Sequence, residues 1–169
     1  QQCRSCGRYF WARTEREDCG ESPCIEYTFI GNPPTRRGMS IHEARESFLS
    51  FLEREGHTRI ARYPITARWR NDVFFTQASI YGFQPWVISG VVEPPANPLA
   101  ISQPCVRFND IENVGRTGSH HTMFEMMAHH AFNTKEKRVY FKERTVELCD
   151  TYMREILGIP DDIISYIEA

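Results

Sequence analysis

Two groups of side chains in this chain of 169 residues have the types and spacing to do chemistry. The first lies between Ser102 and Asn133: Arg107, Asp110, Glu112 and Arg116, then His120, His121, Phe124, Glu125 and Met126. An arginine held on a rigid strand presents a planar fork to phosphate oxygens, and an aromatic ring on the facing strand presents a flat surface to a base. The pairing points to a nucleotide site. The second group is Cys3, Cys6, Cys19 and Cys24. Thiolates paired two to four residues apart can reach one tetrahedral zinc, and Gly7 and Gly20, directly after Cys6 and Cys19, supply the tight turns of a zinc knuckle. Two disulfides or four inert thiols are the other readings, and a cytoplasmic setting argues against stable disulfides. The metal would be architectural rather than catalytic.

The first group needs a platform. Cys105 to Asn109 alternates around Val106 and Phe108, and His121 to Met126 alternates around Thr122, Phe124 and Met126, which predicts two strands. About ten residues rich in Gly, Asn, Asp and Ser lie between them, so the expected unit is a long-looped antiparallel hairpin. Loops of this length usually carry function. Upstream, Ile25 to Ile30 reads as a short strand. Ser40 and Glu43 form a capping box ahead of Ile41, Ala44, Phe48, Phe51 and Leu52, with Gly56 as the stop, which predicts a helix of about four turns. Strands are expected at His57 to Ile65 and Val73 to Ile80, and an apolar run from Phe83 to Val92 looks β-rich. A short strand at Val139 to Phe141 precedes a helix from Lys142. That helix carries Val146, Cys149, Met153 and Ile156 on one stripe and ends at Gly158 and Pro160. Asp161 to Ala169 reads as a further helical turn or two. Cys105 and Cys149 have no partner spacing and read as buried hydrophobes.

With 41% hydrophobic and 12% aromatic residues the chain can bury one core. No apolar run approaches eighteen residues and no secretory pattern opens the sequence, so a cytoplasmic location with no membrane contact is expected. The net charge of -2 gives no overall pull toward nucleic acid. Any RNA contact must come from local clusters such as Arg36-Arg37, Arg59, Arg62 and Arg68-Arg70, which otherwise are solvated surface.

Three runs carry a resemblance: Ser-Gln-Pro-Cys-Val-Arg (102 to 107), Asp-Ile-Glu-Asn-Val-Gly (110 to 115) and His-His-Thr-Met-Phe-Glu-Met (120 to 126). Together they resemble the second signature motif of alanyl-tRNA synthetases, a family of class II aminoacyl-tRNA synthetases. The likeness runs from Cys3 to the end of the chain. Tyr-Thr-Phe-Ile-Gly (27 to 31), the run from Arg62 to Arg70 and the run from Pro94 to Cys105 are similar to the archaeal branch. The resemblance implies a class II fold, an α+β domain around an antiparallel sheet flanked by helices, with the small zinc knuckle at the N-terminus. Residues 1–30 would be the knuckle and 31–169 part of the catalytic domain, with the helix from Ser40 and the following strand as motif 1, an architectural element and often an interface. It also implies ATP-dependent activation of L-alanine and transfer to tRNA(Ala), with Mg²⁺ balancing the pyrophosphate. Arg107 would hold the α-phosphate, His120 would reach the β/γ-phosphates, and Phe124, Glu125 and Met126 would flank the adenine. A homodimer of the full-length protein is a further expectation.

The sequence departs from the class in two places. Asn109 stands where a glutamate often follows the motif 2 arginine by two, with Asp110 next. No Gly-rich stretch ending in arginine, the third motif of the class, occurs within the 169 residues, so they read as the front part of a catalytic domain with the natural chain starting further upstream. Two other functions compete with the enzyme. One is a synthetase-like regulatory or tRNA-binding paralogue. The other is a metallohydrolase built on His121, Glu125 and His129, whose i, i+4, i+8 spacing shares one face of a helix. In a strand the same three would spread over roughly 26 Å.

Overall fold

The computed structural model describes residues 1–21, 24–25, 31–115 and 120–166. Most of the strand expected from Ile25 to Ile30, and Arg116 in the loop, fall outside that set. The chain divides into two units: Gln1–Asn32 with Arg107–Thr122, and Pro33–Val106 with Met123–Ala169.

The larger unit begins with α1, Ile41–Arg54. Its start is the expected capping box: the Ser40 hydroxyl accepts from the Glu43 amide at 3.2 Å, and the Glu43 carboxylate accepts from the Ser40 amide at 2.8 Å. Gly56, at φ +86°, turns the chain out of the helix, a conformation that needs no Cβ. Leu49, Phe51 and Leu52 are buried, each contributing roughly 1.5–3 kcal/mol, whereas Ile41, expected on the same face, is exposed.

The chain then enters β1, Thr58–Arg59, far shorter than the strand expected up to Ile65. β1 pairs in parallel with β2, Leu99–Cys105, and β2 pairs antiparallel with β3, Phe124–His130, in the register Leu99 to His130 through Cys105 to Phe124. The sheet is therefore mixed rather than antiparallel throughout, with β2 at its centre. The hairpin exists, but its strands lie six residues earlier and three residues later than the expected starts at Cys105 and His121, because both faces of β2 are needed for burial. Ala100 faces a core of Leu49, Phe51, Leu52, Leu148 and Tyr152 on one side, and Leu99 and Ile101 pack with Phe83 on the other.

The two further strands expected between β1 and β2 do not form. Thr66 and Phe75 make one isolated bridge, Ser79–Phe83 is a 3-10 turn, and Phe83 to Val92 folds back on itself, with the Val87 and Ile88 amides donating to the Phe83 carbonyl. Of their apolar residues Ile80 and Val87 pack on the cluster of Phe83, which is 1% exposed, Leu99 and Ile101, whereas Phe74, Trp86, Ile88, Val91 and Val92 are exposed. Val139 to Phe141 is likewise no strand. α2, Lys142–Thr151, continues as a π turn over Tyr152–Ile156. The face it buries is Leu148 and Tyr152 rather than the expected stripe: Val146 is 53% exposed and Ile156 36%, while the Tyr152 ring meets Phe48 edge-on at 5.1 Å. Cys149 is exposed for the same reason, and only Cys105 is buried as expected. Gly158, at φ +66°, ends the element, and Asp161–Ile163 adds a 3-10 turn.

In the smaller unit the chain reverses after Cys3. Gly7, at φ +71°, donates to the Cys3 carbonyl, and Gln2 bridges antiparallel to Tyr9. Gly20, at φ +77°, donates to the Asp18 carboxylate in the matching second turn. In the loop, Asp110 sits at φ 54° and leads into a 3-10 turn at Ile111–Asn113. Among the described residues no helix is long and apolar enough to cross a membrane.

Candidate functional site

The two glycine turns bring Cys3, Cys6, Cys19 and Cys24 together, with all four sulfurs within 4.8 Å of one another. None is in a disulfide, and Cys6 and Cys19 lie 3.9 Å apart, about twice an S–S bond. A tetrahedral thiolate site with metal–sulfur bonds of about 2.3 Å has sulfurs ~3.8 Å apart, so these residues fit such a site with sulfur shifts of no more than about 1 Å. The electrostatics agree. Burial raises the Cys3 thiol, but amides of Cys6, Cys19 and Ser5 pointing at its sulfur outweigh this and bring its pKa down to about 6. Cys24 is pushed up to about 12, first by its hydrogen bond to Cys6 and then by burial. Four thiolates in one cage repel each other until a cation joins them, so the last proton is held tightly.

Alternation along β3 puts Phe124 and Met126 on one face of the sheet and Glu125 and Met127 on the other. Met126 faces the 3-10 turn, where its sulfur accepts from the Ser79 amide at 3.3 Å. Glu125 faces α1. Its carboxylate takes both arms of the Arg45 guanidinium, at 2.7 and 2.5 Å, the Ser102 hydroxyl at 2.7 Å and Arg62 at 3.4 Å. Arg45, burial and Ser102 act on this group in that order, and the donors win, holding its pKa at about 2. Glu125 is thus committed to joining α1, β2 and β3. The sequence carries no local sign of this, since Arg45 and Glu125 are 80 positions apart.

Arg107 follows β2 as an exposed residue of the smaller unit, and His120 lies in the same unit with Nε2 4.0 Å from the Asp110 carboxylate. Phe124, half-buried, belongs to the larger unit. Of the expected RNA-facing arginines, Arg59 is taken by Glu46 and Glu53, Arg70 by Asp72, Arg37 by Glu43 and Arg62 by Glu125, while Arg36 and Arg68 are exposed.

The helical spacing behind a metallohydrolase is absent, because Glu125 and His129 lie on a strand. His129 belongs to a different assembly. The Tyr140 hydroxyl sits between His57 Nε2 at 2.7 Å and His129 Nδ1 at 2.8 Å, and His57 Nδ1 faces the Leu52 carbonyl at 3.2 Å. A carbonyl can only accept, so His57 carries its proton on Nδ1, Tyr140 donates to His57, and His129 donates to Tyr140. Burial lowers the pKa of both histidines and pushes Tyr140 up to about 12, so all three rings are held neutral. This ladder ties the end of α1, β3 and the segment before α2. Among the described residues the four cysteines are the one group arranged to hold a metal.

The family model for tRNA synthetases class II (A) matches residues 43–169. The chain is 59% identical over 159 residues to an alanine–tRNA ligase of Methanoculleus marisnigri, covering 94% of this chain and 17% of that protein. It is 58% identical over 169 residues to the corresponding protein of Korarchaeum cryptofilum (99% and 19%) and 58% over 167 residues to that of Methanospirillum hungatei (98% and 18%). The chain spans less than a fifth of the length of these relatives. With the match extending through α1, the mixed sheet and α2, the chain belongs to the family of class II tRNA synthetases.

Proposed function

We propose that the chain is part of the catalytic domain of an alanine–tRNA ligase, which uses ATP to activate L-alanine and passes the alanyl group to tRNA(Ala). The observation that carries this is the identity of 58–59% over nearly the whole chain with archaeal proteins of that name. In the first step the alanine carboxylate attacks the α-phosphorus, the bond to the bridging oxygen breaks, and pyrophosphate leaves. Arg107 holds the α-phosphate and neutralises the charge that moves onto it, His120 serves the outer phosphates, and Phe124 with Met126 supports the adenine. Glu125 acts by holding the strand between Phe124 and Met126 through Arg45. Mg²⁺, when bound, screens the pyrophosphate charge. Cys3, Cys6, Cys19 and Cys24 hold a structural zinc. The protein works in the cytoplasm, and the full-length form is a homodimer.

In the full-length protein, Arg107→Ala should lower alanine-dependent ATP–pyrophosphate exchange by about 100-fold or more while alanine binding changes little, because this charge contact strengthens in the transition state. Near-normal exchange would refute the assignment.

A further inference from the structure

The smaller unit exposes two aromatic rings whose exposure the fold does not require. Trp11 is 90% exposed and Tyr9 82%. The bridge between Gln2 and Tyr9, and the bond from the Phe10 amide to the Gln1 carbonyl, hold this segment extended, so residues two apart face the same way about 6.6 Å from each other. Burial follows that alternation: Tyr9 and Trp11 are open, while Phe10 and Ala12 between and beyond them are half-buried. Phe10 turns inward under the Arg16 guanidinium, 5.2 Å from its ring centre. The outward face therefore carries two flat rings followed by Arg13 in the same alternation, Arg8 is exposed next to Tyr9, and no acidic residue occurs from Gly7 to Arg13. Arg4 is neutralised by Glu17, but Arg8 and Arg13 make no ion pair among the described residues.

We infer that this face of the cysteine knuckle binds unpaired nucleotides of RNA, with bases stacking on Tyr9 and Trp11 and phosphates meeting Arg8 and Arg13. Neighbouring rings on one side of an extended strand, flanked by cations, form the stacking platform on which single-stranded nucleic acid is held without sequence readout. An acidic protein surface would pair with the same rings and arginines, and competition by free RNA separates the two occupants. Of the other arginines expected to face RNA, Arg37, Arg59, Arg62 and Arg70 are engaged in ion pairs, while Arg36 and Arg68 lie exposed in the other unit. The inference rests on the proposed function only for naming tRNA as the RNA.

The test is fluorescence anisotropy of an end-labelled tRNA(Ala) transcript titrated with the zinc-loaded chain, with an unlabelled single-stranded RNA 12-mer as competitor. Trp11→Ala should weaken binding about tenfold or more, and Tyr9→Ala by a similar factor. Trp11→Phe should retain most of the affinity, and Trp86→Ala, an exposed tryptophan in the other unit, should leave it unchanged. Arg8→Ala should flatten the dependence of log K on log salt by about 0.7. The 12-mer should displace the tRNA. Equal affinity for Trp11→Ala, equal losses at Trp11 and Trp86, or failure of the 12-mer to compete would overturn the inference. So would Trp11 fluorescence already shielded in the full-length protein without RNA, which would make the face a protein contact. Aminoacylation by the full-length protein, assayed in parallel, separates the two readings: Trp11-dependent RNA binding without alanine charging by the full-length protein sinks the proposed function alone, and charging with Trp11-independent binding sinks the inference alone.

Discussion

Replacing Glu125 by alanine tests whether one carboxylate joins the helix to the hairpin. The change removes two charge-assisted hydrogen bonds from Arg45 and one from Ser102, and leaves Arg45 and Arg62 facing a cavity. Removing one member of a fully buried ion pair costs about 3–5 kcal/mol, and a hydrogen bond to a charged group is worth about 1.5–3 kcal/mol. The Arg45 and Glu125 side chains are 20% and 22% exposed, so water partly relieves the orphaned arginine. A loss of about 3 kcal/mol follows, or a fall in Tm of roughly 6–12 °C for a chain of this size. Glu125→Gln keeps the shape and one acceptor, and should cost about half as much. Urea unfolding followed by circular dichroism at pH 7 measures both, and a double-mutant cycle with Arg45→Ala should show coupling of at least ~1.5 kcal/mol. The pH dependence provides a second reading. The folded-state pKa of about 2 lies below the ordinary 4.5, so the contribution is complete above pH 4.5 and is lost as pH falls toward 2. That loss should be missing in Glu125→Gln. A cost under about 0.5 kcal/mol for Glu125→Ala, or additive effects of the Arg45 and Glu125 changes, would show that the pair is a surface contact of no structural weight.

Elemental analysis of purified protein should find close to one zinc per chain, and Cys19→Ala should abolish it; less than a tenth of an equivalent in the unaltered chain would exclude the metal. His130 has its pKa lowered by burial to about 4 from 6.5, so the unfolded state takes up a proton first as pH falls, and stability should drop by on the order of 3 kcal/mol between pH 6.5 and pH 4. Urea midpoints measured across that window in the unaltered protein and in His130→Gln check this, and equal slopes would remove His130 from the account. Residues 1–169 alone should show no alanine-dependent ATP–pyrophosphate exchange beside a longer polypeptide that includes a third-motif arginine. Comparable exchange would mean the nucleotide is held otherwise than proposed.

What the sequence determined by itself was local. Ser40, Glu43 and Gly56 specify both ends of α1 because caps and left-handed turns involve residues only a few positions apart. The four cysteines and two glycines specify the knuckle for the same reason, and Gly158 the end of the second helical element. The hairpin was legible as a topology, from two alternating runs and a polar loop. Tertiary packing decided the rest. Val73 to Ile80 and Phe83 to Val92 have the composition of strands, yet among the described residues no neighbouring strand pairs with them, and they contribute Phe83 itself with Ile80 and Val87 to the core while most of their other apolar residues stay exposed. α2 carries apolar residues on more than one stripe, and the aromatic rings of α1 selected Leu148 and Tyr152 over Val146 and Ile156. Tyr140 reads as part of a strand but supplies the hydroxyl between His57 and His129, one of them 83 positions away. Glu125 reads as a nucleotide ligand, and only the approach of α1 to β3 gives it Arg45 as its partner. Pairings across such distances depend on the relative placement of whole elements, which no local window of residues encodes.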